Sequence, residues 1–153
     1  MAVALSEKIT QILNGTIVSV KTIIPFEMEI SRPSLFTRPF MQNSLGVLIG
    51  ITGDLPGRVL ITGDDEIFSN IGKKMYGFQL DGDMLLSFSG ELGNMIVGHL
   101  STLLADWGYN MEITPPTVLV GQTEIHGFDK GFQLPVHIKE IGDIQILLML
   151  ETL

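Results

Sequence analysis

The chain has 153 residues, 45% of them hydrophobic and 17% charged, with a formal net charge of −8. That length and balance describe one folded domain (residues 1–153) with a sizeable core and exclude a disordered chain, while the negative charge disfavours nucleic-acid backbones and anionic membrane surfaces as partners. There is no cysteine, so disulfides and thiolate chemistry are absent, which fits a reducing compartment.

The first residues, Met1–Lys8, carry no basic stretch and only a short apolar run, so no signal peptide is expected. No window holds 18 uninterrupted apolar residues, so no membrane span is expected either. A cytoplasmic protein is the expectation.

In chain order, Leu5, Ile9, Ile12 or Leu13, Ile17, Val20 and Ile24 recur at helical spacing and predict a first helix over residues 3–24, ended by Pro25. Gly15 lies inside it, where glycine costs about 1 kcal/mol against alanine. The segment 25–43 holds Pro25, Pro33 and Pro39 and predicts a strand around Glu27–Ile30 followed by a loop. Residues 44–62 predict a β-hairpin, with Asp54-Leu55-Pro56-Gly57 as the turn and Gly57 supplying a positive φ. Its arms are continuously apolar, which suggests that both faces are covered.

Asp64 or Asp65 caps a second helix, residues 65–76, with Gly77 at its end. Asp81-Gly82-Asp83 has the beginning of a calcium loop but lacks the further oxygen ligands, so Asp83 is read as a helix cap. A third helix runs from Met84 to about Trp107 and stops at Gly108. A strand over 111–122 bends at Pro115-Pro116, and 131–139 with 144–151 form a last hairpin around Gly142-Asp143. Strand pairs joined by tight turns, without a helix between every two strands, predict an α+β fold: a mainly antiparallel sheet packed with two or three long helices.

Common catalytic signatures are missing: the sequence has no phosphate-binding glycine loop ending in Lys-Ser or Lys-Thr, no G-x-S-x-G and no H-E-x-x-H. The three histidines, His99, His126 and His137, are scattered, and no Asp/Glu/His cluster has metal-ligand spacing. His99 falls on the apolar side of the third helix, as a satisfied core or interface histidine would.

The third helix is different. At about 100° per residue, Ser87, Glu91, Asn94, Gly98, Ser101 and Ala105 fall in one stripe about 80° wide, and Leu, Ile, Val, Phe and Met fill the other faces. Its carboxylate can pair with a partner's cation, and its carboxamide can both donate to and accept from a water. Gly90, Gly93 and Gly98 weaken the helix and call for a compensating close approach of another backbone. Taken alone, the same stripe also describes the solvated outer face of a core helix.

Ser87, three residues, Glu91, two residues, Asn94, with Pro116 following one residue short of the expected spacing, resembles the signature of the CheC/CheX/FliY chemotaxis phosphatases. The run Glu91-Leu-Gly-Asn-Met-Ile-Val-Gly98, then Gly108-Tyr109, Ile113-Thr-Pro-Pro-Thr-Val118 and Gly121 is similar to the CheX branch, as are Ile49-Gly-Ile-Thr-Gly-Asp54 and Lys74-Met-Tyr-Gly77. One copy of the Glu/Asn motif also favours CheX.

The resemblance implies an α+β fold, a homodimer joined sheet edge to sheet edge, and hydrolysis of the aspartyl phosphate of a CheY-like response regulator. It implies that Asn94 orients the attacking water and that Glu91 pairs with the regulator's lysine. It gives Ser87 and Gly98 a place in the partner surface. No cofactor of the chain's own is implied, and Mg²⁺ is expected on the regulator. The alternative is a CheX-like module that binds a regulator or a flagellar or chemotaxis component without hydrolysis.

Overall fold

The computed structural model describes residues 2–42 and 44–151, with side chains from Glu7 onward. The expected loop at Asn43 and the apolar contact of Leu5 therefore lie outside what is described. Three helices are α1 (Ala2–Ile23), α2 (Asp65–Tyr76) and α3 (Gly82–Asp106). The strands are β1 (Met28–Ile30), β2 (Ser34–Phe36), β3 (Phe40–Gln42), β4 (Leu45–Gly53), β5 (Gly57–Gly63), β6 (Met111–Ile113), β7 (Thr117–Val120), β8 (Thr123–Ile125), β9 (Lys130–Ile138) and β10 (Gly142–Leu150).

The main sheet is antiparallel in the order β1-β9-β10-β5-β4-β6, with β2 also on β9 and β7 also on β4. The α+β expectation holds. Along β4, Val47, Ile49 and Ile51 alternate with Leu48, as strand geometry requires. The first set joins the core beneath the helices, with Leu92, Ile96, Val97, Leu100 and Leu104 of α3. The other face carries Leu48, Leu60, Leu147 and Met149 under Phe36, Phe40, Ile125 and Phe128. A small second sheet made of β3 and β8 lies on that side. Both faces of the central strands are covered, which explains their continuous apolar runs.

The segment read as loop after Ile30 is instead β2 and β3. The strand expected over 111–122 is two pieces with a bulge between them. Ile51 faces Ile113 and Leu48 faces Thr117, so two residues of β4 lie opposite Thr114, Pro115 and Pro116. Such an extra residue on an edge strand accommodates prolines, which have no N–H for the ladder. The other edge repeats the device: Ile30 faces Val136 and Ser34 faces Gln133, with Ser31, Arg32 and Pro33 bulged.

The two edges are related by an internal two-fold. Met28-Glu-Ile-Ser-Arg-Pro-Ser and Met111-Glu-Ile-Thr-Pro-Pro-Thr lie 83 residues apart (111 − 28). Ser31 N–H donates to Pro135 O and Thr114 N–H donates to Gly50 O, at 3.0 and 2.9 Å. The axis passes between Leu60 and Leu147, which pair on β5 and β10, and between Met41 and Glu124 of the small sheet.

Three local expectations are corrected. In the first hairpin the positive φ belongs to Gly53 (109°), not Gly57. Gly57 lies within β5, and a Cβ there would run into the β10 backbone at Met149. Helix α3 starts at Gly82, so its N-cap position is Asp81 and Asp83 stands in the first turn, where a carboxylate faces the positive helix end. In the last hairpin Glu140 takes a positive φ (67°) ahead of Gly142.

Candidate functional site on helix α3

Helix α3 is seated on the sheet by its missing side chains. A Cβ at Gly93 would come 2.6 Å from Val47 Cγ1 of β4, and one at Gly90 would come 3.2 Å from Val118 Cγ2 of β7 and 4.0 Å from Pro116 Cγ. The close approach expected for the glycines is thus real for Gly90 and Gly93, but it comes from strand side chains and not from a second backbone. Gly98 is the exception: a Cβ there would meet nothing within 4 Å.

Contacts on both flanks fix the helix. On one side the Ser101 hydroxyl donates to Met111 O of β6 at 3.2 Å, so Ser101 belongs to the sheet contact and not to the open stripe. On the other, His99 Nδ1 lies 3.0 Å from Ser19 Oγ of α1, as a satisfied interface histidine. Toward its N-terminus Phe88 is nearly buried and takes the ring of Tyr76, at the end of α2, edge-on at 5.8 Å. Leu92, Ile96, Val97 and Leu100 are all buried to within 1% exposure, each contributing about 1.5–3 kcal/mol. The result is a rigid rod with one free face.

That face carries the residues singled out by the stripe. Ser87 and Glu91 are exposed, and Asn94 and Gly98 are half-buried. Glu91 and Asn94 are three positions apart on the helix and share its outward side. Among the described residues, neither side chain has a hydrogen bond or an ion pair within the chain. The structure therefore brings Ser87, Glu91, Asn94 and Gly98 together and sets Ser101 aside.

The surface here is a ridge. A cleft of about 190 Å³ between Phe40, Ser44, Asp64 and Asp143, and a groove of about 450 Å³ at the N-termini of α2 and α3, have neither Glu91 nor Asn94 in their walls. A ridge suits insertion into another molecule's cavity better than retention of a small substrate. Among the described residues, no group of three or more His, Asp or Glu could hold a metal ion.

The family model described as "Chemotaxis phosphatase CheX" matches residues 45–133, from β4 to β9, with all of α3 inside the match. The chain belongs to the CheX family. It is 30% identical over 139 residues to the CheY-P phosphatase CheX of Thermotoga maritima, covering 88% of this chain and 89% of that one. The fold is shared with a CheC-like superfamily protein from Shewanella sp. PV-4, at a TM-score of 0.78 and 24% identity over 94% of this chain and 97% of that one. It is shared equally with CheX in a CheX–CheY–BeF3–Mg²⁺ complex from Borrelia burgdorferi, at a TM-score of 0.77 and 21% identity over 94% and 97%. No helix among the described residues is long and apolar enough to cross a membrane.

Sequence reasoning missed the apolar border of the face. Met84, read as the first residue of the third helix, is exposed, and Tyr76 and Phe78 just before it are exposed too. The signal was slight: Tyr76 and Phe78 flank the Gly77 that ends α2, and Phe78 lies beyond that helix.

Proposed function

We propose that this chain is a hydrolase that removes the phosphoryl group from the aspartyl phosphate of a phosphorylated CheY-like response regulator, acting as a single domain. One observation carries the proposal: in a CheX-family chain, a carboxylate and a carboxamide one turn apart stand without partners among the described residues on the open face of a firmly held helix.

The chemistry asks little of such a site. An acyl phosphate is already reactive, so positioning a water in line with the scissile bond supplies most of what is needed. The Asn94 carboxamide accepts a hydrogen bond from the water through its oxygen and donates to a phosphoryl oxygen through its nitrogen. The water oxygen forms the new bond to phosphorus as the bond to the aspartyl oxygen breaks. Inorganic phosphate and the free carboxylate leave, and the surplus proton passes to phosphate or solvent. Glu91 pairs with a lysine of the regulator and fixes the approach of α3. Ser87 and Gly98 border the same contact, Ser87 through its hydroxyl and Gly98 by leaving room for the partner's backbone.

Mg²⁺ belongs to the regulator in this scheme, as the composition of the Borrelia complex suggests. The protein acts in the cytoplasm and pairs with a second copy through a sheet edge. The edges on offer are β1–β2 and β6–β7. The test is phosphate release from phosphorylated CheY-like receivers. Asn94→Ala should lower the maximal rate about a hundredfold, the order expected when a reacting group is misplaced, with the fold intact by circular dichroism. Parent-level activity in that variant would remove Asn94 from the mechanism.

A further inference from the structure

The seam of α3 is too narrow and too polar to hold a partner by itself. Specific protein contacts cover roughly 800 Å² on each side and depend on a few desolvated aromatic or large apolar side chains at their centre. Ser87, Glu91, Asn94 and Gly98 offer none. Whatever docks on them must also cover what stands beside them.

Three large apolar side chains stand there. Tyr76 is 53% exposed, Phe78 52% and Met84 56%. They fall within nine residues (76–84), at the end of α2, in the connection that follows, and in the first turn of α3. The Tyr76 and Phe78 rings lie 6.5 Å apart. Tyr76 is anchored edge-on to Phe88, which lies one turn after Met84 and one turn before Glu91 on α3. Helical spacing puts Met84, Phe88 and Glu91 side by side. The aromatic pair is therefore continuous with the turn that carries Ser87 and Glu91.

We propose that Tyr76, Phe78 and Met84 form an apolar shoulder that the response regulator covers when α3 docks, and that this shoulder supplies the affinity while Glu91 and Asn94 supply alignment and chemistry. The proposal rests on the reading of the α3 seam as the regulator-docking surface. The occupant is the regulator because the shoulder adjoins that seam without a break. A rigid aromatic with few rotatable bonds is also the residue type that gains most from desolvation at a contact. Interactions made equally before and in the transition state lower half-saturation without changing the maximal rate.

The experiment uses the full chain and a phosphorylated CheY-like receiver. The double variant Phe78→Ser/Met84→Ser changes only exposed side chains and leaves the Tyr76–Phe88 contact in place. It should raise the half-saturating regulator concentration by about fivefold or more, and the maximal rate should match the parent's. A Phe78→Trp variant should shift its emission to shorter wavelength when a receiver held in its active state by beryllofluoride and Mg²⁺ is added. Unchanged half-saturation in the double variant overturns the shoulder, as does an unchanged Trp emission. Glu91→Ala separates the two levels of inference. If it weakens docking while the double variant does not, only the shoulder fails; if neither does, the docking reading fails as well. Conversion of a dimer to a monomer by the double variant, seen by light scattering, would assign the shoulder to a second copy of this chain and overturn the proposal.

Discussion

Gly98→Ala separates folding from docking because it should move them in opposite directions. Glycine in a helix interior costs about 0.8–1 kcal/mol relative to alanine. At most buried glycines a new methyl group would lose that gain to a clash. At Gly98 it would meet nothing within 4 Å, and no positive φ makes alanine strained there. The isolated protein should therefore become more stable by about 1 kcal/mol, which in a chain of this size is a rise of about 2–4 °C in Tm. The same methyl stands one turn beyond Asn94 on the open face. A partner packed against that face must give way, and overpacking of this kind costs about 1–3 kcal/mol. Half-saturation by the regulator should then rise about tenfold. Thermal unfolding followed by circular dichroism gives the first quantity, and steady-state phosphate release gives the second. A lower Tm would show that the space above Gly98 is filled in solution. A raised Tm with unchanged half-saturation would take Gly98 out of the docking surface.

Two further substitutions probe what holds α3 in place. Gly93→Ala gains the same helix propensity but sets a Cβ 2.6 Å from the fully buried Val47, so the net result should be a loss of up to about 2 kcal/mol, read from the urea midpoint. Thr62→Val removes the hydroxyl that donates to Gln42 Oε1 at 2.6 Å. Gln42 is wholly buried and its amide nitrogen is held by Gly121 O, so the orphaned oxygen should cost about 1–3 kcal/mol.

Much of the architecture was legible because its signals are local. The 3.6-residue period marks α2 and α3, Gly77 and Gly108 take the positive φ at which the helices end, and the two long hairpins announce themselves by apolar runs around turn residues. The short strands β2, β3 and β8 were not legible. Each has three residues and is specified by its partner across the fold, as β3 is by β8, 83 positions away at Met41 and Glu124. The stripe on α3 was legible as geometry, and five of its six residues, Ala105 included, stand exposed or half-buried where periodicity puts them. Ser101 was assigned to the wrong side because a hydroxyl at the edge of a stripe turns to the nearest carbonyl, here Met111 O, which only the tertiary fold supplies.

The internal two-fold raises the question of why the chain should have one docking seam and not two. Helices α1 and α3 are equivalent in plan: each is followed by four connecting residues and then by the repeated Met-Glu-Ile strand. The same offset of 83 pairs Gly98 with Gly15 (98 − 83), but the two glycines are used differently. A Cβ at Gly15 would come 2.8 Å from Leu100 Cδ1 and 3.5 Å from the Trp107 ring, so that glycine is consumed by the contact between the helices, whereas Gly98 faces open space. The offset also sets Lys8 against Glu91 and Gln11 against Asn94. Lys8 reverses the charge required to meet a regulator's lysine, and it borders the crevice beside Asp54 and Tyr109. Helix α1 thus holds the equivalent position but has neither the open glycine nor the pairing carboxylate. One regulator should bind per chain. Titration calorimetry with a beryllofluoride-activated receiver should give a stoichiometry of one, and a value of two would show that the α1 face docks a regulator despite its reversed charge.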